Sequence, residues 1–366
     1  MSESRMFVPK RICYTYVIAN DYHYKLKGAR SIMRVRSFRI AILMMAVALV
    51  LAACGTAANK PSHNNQPGNS NQQGAEATPG GDNAQTRMWT DGSGRQVEIP
   101  VHPQRIITTQ YLPEMLALGV KPIAAPRHLL TNFASVRDRI GGIEDLGAVN
   151  ELNVEKALEL NPDLILTMED NEELIDRLSK IAPTVVVTWN NKDAFDHLKD
   201  TADVLGLSGK ADQWIADYKQ KVAETKEKLA ATVSPDETFG TVVIGGYKEG
   251  QLRVYADQNV GYTLFSALEF PMLDIVKSAW EKEKYPLGMD ISMELLPQYA
   301  AADRLFVVQF DNDPDFLNQV LDSSLWKNLP AVKNNKVYVL ENALWFPLDV
   351  LSLEQQLDDV VKLLIQ

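Results

Sequence analysis

The sequence predicts an α/β protein of two lobes, each built on a mostly parallel sheet, joined by one long backbone helix. Three observations carry this. From Met88 onward, short β-branched runs alternate with amphipathic stretches, the pattern of βαβ units. A long amphipathic stretch at 210–231 places Trp214, Tyr218, Val222 and Leu229 on or near one face, with Lys, Glu and Gln elsewhere. After Ser234-Pro235 the alternation restarts.

In the first half the expected strands are 105–109, 122–125, 164–167 and 185–188. Asn153 can cap a helix running to Leu160, and Asn171 another running to Ala182, because an Asn side chain accepts from the free N–H groups of a first helical turn. Asp163 and Pro183 stand where turns are needed. In the second half the expected strands are 241–245, 252–256, 304–309 and 336–340, with helices near 262–269, 292–300, 315–321 and 353–364. No tandem repeat of solenoid length is present.

The N-terminal segment is of another kind. Arg34, Arg36 and Arg39 precede fourteen uncharged residues, 40–53, too short for the ~18–20 that span a bilayer. The run ends Leu51-Ala52-Ala53-Cys54-Gly55, which looks like a bacterial lipobox: small residues fit the peptidase, and the Cys54 thiol accepts diacylglycerol before cleavage. Two or more acyl chains make such an attachment lasting. Met33 begins a complete signal peptide by itself, so 1–32 reads as an over-long start, with a genuine N-terminal extension as the alternative; either is discarded on maturation. Residues 55–86 contain no Leu, Ile, Val, Met or aromatic residue, so nothing offsets the entropy of ordering them. A coil of that length spans roughly 30 Å and reads as a tether. The expected organisation is a signal peptide over 1–53, a lipidated Cys54 and linker over 54–86, an N-terminal lobe over 87–208, the connecting helix over 209–233 and a C-terminal lobe over 234–366. The folded part is expected outside the cytoplasm, on the outer face of a bacterial cell membrane, as a monomer.

Charge excludes some partners. Residues 1–53 hold nine Lys and Arg but only Glu3 and Asp21; removing them from totals of 37 and 47 leaves 28 basic and 45 acidic residues, a formal −17. Such a surface repels nucleic acid and anionic headgroups. The two cysteines, Cys13 and Cys54, both precede the folded part, so no disulfide or Cys-rich metal site is available there.

Several short segments, in order, carry a resemblance. The chain opens with Thr90-Asp91-Gly92-Ser93-Gly94-Arg95, Val97-Glu98-Ile99-Pro100 and Pro103-Gln104-Arg105-Ile106-Ile107. There follow Glu114 with Leu118-Gly119-Val120-Lys121-Pro122, Asn153-Val154-Glu155 with Leu160-Asn161-Pro162-Asp163-Leu164-Ile165, and Trp326 with Ala331-Val332-Lys333 and Lys336-Val337-Tyr338. In these, 87–366 resembles the periplasmic binding proteins for iron siderophores and vitamin B12. That resemblance implies the class III architecture, with lobes bridged by a stiff helix, and the substrate-binding role in an ABC importer whose permease works with a cytoplasmic ATPase. It also implies that one surface Glu per lobe docks into arginine pockets of the permease; the matching positions are Glu155 and Glu294. From the residues alone, each is an acid near a helix N-terminus, worth a few tenths of a kcal/mol.

In an open α/β lobe ligands sit at the carboxyl ends of the strands. That rule nominates Gln110, Tyr111, Arg127, His128, Trp189 and Asn190 on the first lobe, and Tyr247, Lys248, Arg253, Tyr255, Gln309, Phe310 and Trp345 on the second. A ferric siderophore presents an apolar or aromatic rim around coordinated oxygens, which Trp and Tyr cover and Arg complements. Arg127, Arg253, Trp189 and Trp345 lead the set, whereas Tyr111 and Tyr255 also suit packing and Lys248 also suits solvent. Arg105, inside a strand, suits a structural salt bridge. Few cleft arginines and several Trp and Tyr favour a hydroxamate over a catecholate, since a ferric hydroxamate carries little charge. The iron arrives within the ligand; no resident cofactor or direct metal ligand is expected.

Other readings compete. A free-metal receptor needs a compact His and carboxylate set, but His23, His63, His102, His128 and His197 are scattered. A tethered enzyme should show Gly-x-Ser-x-Gly or a phosphate-binding Gly loop; neither occurs, and the Glu169-Asp170 pair has no partner pattern. Cobalamin or haem is the nearer rival, and an axial His at the cleft would favour it.

Overall fold

The computed structural model describes residues 85–168, 171–246, 250–283 and 288–365. The signal segment, Cys54, nearly all of the linker, Glu169-Asp170, Tyr247 and Lys248 lie outside them. The first ordered element is a hairpin of β1 (Thr86–Thr90) and β2 (Gln96–Pro100), whose turn is built by Asp91. Asp91 Oδ1 accepts from the N–H groups of Ser93 and Arg95 at 3.0 and 2.9 Å, and Oδ2 from Arg95 Nη2 at 2.6 Å. Gly92 gives its N–H to Val186 O at 2.7 Å, and a β-carbon there would stand 2.3 Å from Thr188 Oγ1, so glycine alone lets the hairpin hook onto the lobe.

The N-terminal lobe carries a sheet in the order β5 (Glu144–Asp145), β4 (Ala124–Ala125), β3 (Ile106–Thr108), β6 (Leu164–Thr167), β7 (Thr184–Val186), all parallel. β3, β4, β6 and β7 are buried throughout, as expected of a sheet covered on both faces. The two expected caps are present: Asn153 accepts from Lys156 N for the helix Val154–Glu159, and Asn171 from Leu174 N for Glu172–Leu178. The Asp163 carboxylate accepts from the N–H groups of Gln104 and Arg105 at 2.7 and 2.9 Å. Arg105 is structural, as its sequence suggests, but its guanidinium meets the carbonyls of Leu160 and Asn161 rather than a carboxylate. The helix Ala194–Leu205, undelimited by sequence, begins with a full capping box on Asp193 and ends at left-handed Gly206.

The connecting helix is Ser208–Leu229, 22 residues, with Ala211, Ile215, Tyr218, Thr225 and Leu229 buried. Beyond it the second sheet runs β10 (Met289–Ile291), β9 (Leu252–Val254), β8 (Phe239–Ile244), β11 (Arg304–Gln309), β12 (Val337–Leu340). β8, β11 and β12 pair in parallel, while β9 runs against both β8 and β10. The short link between β8 and β9 cannot hold a crossover, so their pairing has to be antiparallel. The expected helix at 262–269 is a wide π-type turn, Tyr262–Ala267, and that at 292–300 divides into a 3₁₀ turn, Met293–Leu295, and a short helix, Leu296–Tyr299.

A second helix crosses between the lobes. The C-terminal helix, Val350–Leu364, packs on the connecting helix and also on Leu112–Ala117, Ala194–Leu205 and the turn Ala134–Val136 of the first lobe. One apolar core therefore runs through both lobes, with Leu118, Leu198, Ile215, Leu229, Phe306, Leu353 and Leu357 in a single cluster. Leu351 joins Leu112, Leu116, Leu129, Phe133 and Val136 in another. The lobes are therefore held by two helices, the connecting helix and the C-terminal one. Among the described residues no helix is long and apolar enough to cross a membrane.

Candidate ligand cleft

All five strands of the first sheet share one direction, as do β8, β10, β11 and β12 of the second, so each lobe has one edge where strands end and loops are free to meet a ligand. On the first lobe Trp189 follows β7, half-buried, with one face stacked on His197 at 4.1 Å and 16°. His197 Nε2 stands 3.1 Å from Trp189 O; burial, outweighing that carbonyl, pulls the imidazole below its usual range and keeps it neutral. His128 lies in the helix Arg127–Thr131, where burial lowers its pKa to about 4 and Nδ1 has no hydrogen-bond partner among the described residues. Neither histidine brings positive charge at neutral pH.

The leading cations are already matched. Arg127 is exposed, but its Nε bonds Asp145 Oδ2 at 2.7 Å. Burial raises the Asp145 carboxyl, yet hydrogen bonds from Arg127 and Gly147 N–H outweigh it and hold the group below its usual range. Arg253 is buried in β9, its Nε 2.6 Å from Asp290 Oδ1. Burial works against its charge, and bonds to Asp290 and Tyr255 more than restore it. Arg127 and Arg253 are thus each half of an ion pair.

Three expected ligand aromatics have no free surface. Tyr111 is fully buried and donates to Val187 O at 2.7 Å. Tyr255 is 1% exposed, sealed behind Gly288, where a β-carbon would lie 2.9 Å from its ring; burial pushes its phenol up to about 12. Trp345 is 0% exposed and gives its indole N–H to Asp359 at 2.7 Å, because the short helix Asn342–Trp345 turns it inward against the C-terminal helix. These three pack the core, correcting their assignment to the ligand.

Other aromatic rings lie near the strand ends and between the lobes. Phe310, after β11, lies over Gly245 and Gly246, where added β-carbons would stand 3.1 and 3.5 Å from it, and meets Phe346 edge-on at 5.1 Å and 89°. Asn312 fixes the same glycine turn, accepting from Gly246 N at 3.2 Å and donating to its carbonyl at 2.9 Å. Between the lobes Phe195 meets Tyr262 at 6.3 Å and Tyr218 of the connecting helix at 5.2 Å, forming an aromatic floor. Tyr262, half-buried, has its phenol raised to about 12, by burial first and then by the Asp193 and Asp257 charges. The strand-end rule names Phe310 but not Tyr262 or Phe195, which lie in helical segments several residues beyond the nearest strand; the aromatic spacing alone carries no signal for them.

Glu155 and Glu294 are both exposed and form no ion pair among the described residues. Glu155 opens the helix between β5 and β6, and Glu294 follows β10 within three residues, so both stand at the carboxyl edges of their sheets. A hydrogen bond from Ser292, with the residue's own N–H, holds the Glu294 carboxyl below its usual range.

Two lobes on mostly parallel sheets, joined by a long helix, are the architecture of a two-lobed solute-binding protein. The chain belongs to the periplasmic binding protein family, whose model matches residues 106–344. It is 30% identical over 337 residues to the iron(3+)-hydroxamate-binding protein YxeB of Bacillus subtilis, covering 89% of this chain and 96% of that protein. Among solved structures it resembles an FhuD fold-family protein, the binding component of a ferrichrome ABC transporter from Bacillus subtilis (TM-score 0.68, 30% identity, 76% of this chain and 100% of that one). It also resembles Staphylococcus aureus SirA complexed with staphyloferrin B (TM-score 0.64, 27% identity, 76% and 99%).

Proposed function

We propose that this protein is the membrane-tethered binding component of an ABC importer for ferric siderophores, with ferric hydroxamates as its ligands. The observation that carries the ligand class is the cancelled charge of the cleft: Arg127 on Asp145, Arg253 on Asp290, and two neutral histidines. A strongly anionic ferric complex would have to break those pairs, whereas a nearly neutral hydroxamate complex needs apolar faces. Trp189, Phe310 and Tyr262 supply them. The names of YxeB and of the ferrichrome transporter component point the same way.

Because two helices tie the lobes, capture proceeds by a small rocking motion, after which Glu155 and Glu294 meet basic pockets of the permease. In tryptophan fluorescence titrations ferrioxamine is expected to quench at sub-micromolar concentration, and ferric enterobactin, ferric citrate and cobalamin far less. Trp189→Ala is expected to weaken binding about tenfold, the scale of one stacked aromatic face. Absence of quenching by all four ligands rejects the siderophore reading, and preference for cobalamin replaces it.

The tether rests on Cys54. Cys54→Ser is expected to release the protein from membranes into the medium and to abolish incorporation of labelled palmitate. Continued membrane fractionation with label would reject the anchor.

A further inference from the structure

Two carboxyl groups from opposite halves of the chain are buried together where the C-terminal helix crosses the first lobe. Glu114, in Leu112–Ala117, is 2% exposed, and Asp349, the N-cap of Val350–Leu364, is 5% exposed. Asp349 Oδ1 accepts from Ser352 N at 2.9 Å and Oδ2 from Ser352 Oγ at 2.5 Å. Ser352 Oγ is 3.0 Å from Ser135 Oγ on the first lobe, and Gln355 Nε2 donates to Ser135 O at 3.2 Å. Glu114 Oε2 has no hydrogen-bond partner among the described residues. Leu112, Leu116, Leu129, Phe133, Val136 and Leu351 enclose the site.

Isolated carboxylates cannot both stay ionised in such a place. Burial, with the Asp349 charge behind it, pushes the Glu114 carboxyl up to about 8, and burial pushes Asp349 up to about 6 despite its bonds to Ser352. The other charged groups on the packed elements are engaged elsewhere. Arg137, beyond the turn Ala134–Val136, pairs with Glu341 at 2.6 Å; Asp358 holds Lys221, and Asp359 holds Trp345. On Ala194–Leu205, His197 turns to Trp189, Asp200 pairs with Lys192, Asp203 accepts from Ser208, and Asp196 closes its own capping box. On the connecting helix Lys210 donates to Leu118 O at 3.1 Å, Asp217 and Glu224 accept from Gln213 and Gln220, and Lys226 pairs with Glu269. Of the remaining ionisable side chains, Asp212, Lys219, Glu227 and Lys228 lie on that helix, Asp138 follows Arg137, Lys199 lies on Ala194–Leu205, and Glu354 and Lys362 lie on the C-terminal helix. Asp349 is the one charge found to act on Glu114.

We propose that the buried Glu114 and Asp349 carry a single negative charge between them, and that the proton Glu114 retains fastens the C-terminal helix to the N-terminal lobe. With it in place the pair carries a single charge; when it leaves for solvent, two buried like charges push helix and lobe apart. Both folded pKa values lie above the unfolded ones, so the folded chain binds more protons between about pH 4 and 8. The joint is therefore tightest below that window, loosens progressively as pH rises across it and changes little above about 8.

Hydrogen exchange of the full-length chain, corrected for intrinsic rates, tests this at amides 134–137 and 350–356. In the wild type, protection there is expected to fall about tenfold between about pH 6.5 and 7.5 and to level off above the midpoint near pH 8. Glu114→Gln, a mimic of the protonated acid, should abolish that fall. Asp349→Asn keeps the cap and removes the neighbouring charge, so it should move the midpoint to lower pH. A wild-type profile without the fall, or a Glu114→Gln profile with the same midpoint, overturns the proposal. Should Glu114→Gln not fold, an unmoved midpoint in Asp349→Asn overturns it alone. Protection restored at pH 9 by sodium or calcium ions would assign the site to a metal cation and also overturn it.

Discussion

Cells carrying Glu155→Lys and Glu294→Lys together are expected to lose uptake of ferric hydroxamate, while the purified protein binds that ligand within about twofold of the wild type. Both carboxylates are exposed, stand at the carboxyl edges of their sheets and spend their charge on no ion pair among the described residues. They are thus available to a partner, and neither belongs to the aromatic faces proposed to meet the ligand. A charge pair desolvated in an interface costs about 2–5 kcal/mol when one member is lost. Two reversals together exceed what a transient complex can spare, so the loss should be near complete, and each single reversal intermediate. Uptake at the normal rate in the double variant, measured with radioactive iron, would reject the docking role and leave both residues as helix-start acids.

Gly261→Ala is expected to be the most destabilising glycine-to-alanine change among the described residues. Gly261 sits between Asn259 and the wide turn Tyr262–Ala267, and a β-carbon there would lie 1.7 Å from Ala256 O and 2.7 Å from its carbonyl carbon. Both are backbone atoms of the loop after β9, so nothing can rotate away; the chain has to move. That displaces Asn259, whose side chain donates to Phe346 O at 2.6 Å, and Tyr262 in the aromatic floor. A cost of about 3 kcal/mol or more lowers the thermal midpoint by roughly 6–12 °C in a domain of this size. Gly209→Ala, in the connecting helix where a β-carbon meets nothing, should instead raise stability by about 0.5–1 kcal/mol. Equal midpoints for the two variants would show that the close approach at Gly261 is not the constraint it looks to be.

What the sequence discloses here is what local chemistry decides. Asn153 and Asn171 announce their helices because a cap is a contact within four residues, and Ser208–Leu229 announces itself by length and stripe. The strand-end rule places Trp189 and Phe310 just after β7 and β11 for a similar reason, since a strand's direction follows from the helix behind it. What stays hidden depends on partners far along the chain. β5 is two residues, Glu144–Asp145, too short and too polar to read as a strand, yet it supplies the carboxylate that neutralises Arg127. Arg253 is similarly matched by Asp290 on β10, a three-residue strand. Tyr111 and Trp345 follow strands as cleft residues should, but each is fixed inward by one hydrogen bond, to Val187 O and to Asp359, that no local pattern reveals. Glu114 reads as an ordinary first-turn acid until the last helix returns to bury it beside Asp349.

That return has a consequence for how such proteins can be recombined. Each half of the chain finishes its apolar core with side chains from Val350–Leu364, so the lobes are not interchangeable modules cut at the connecting helix. A hybrid that took its second lobe from a relative would bring a foreign final helix against Leu112, Leu116 and Phe133 of the first. Exchanging ligand preference between relatives therefore calls for grafting cleft loops onto a retained frame, or for moving the final helix together with the lobe it covers.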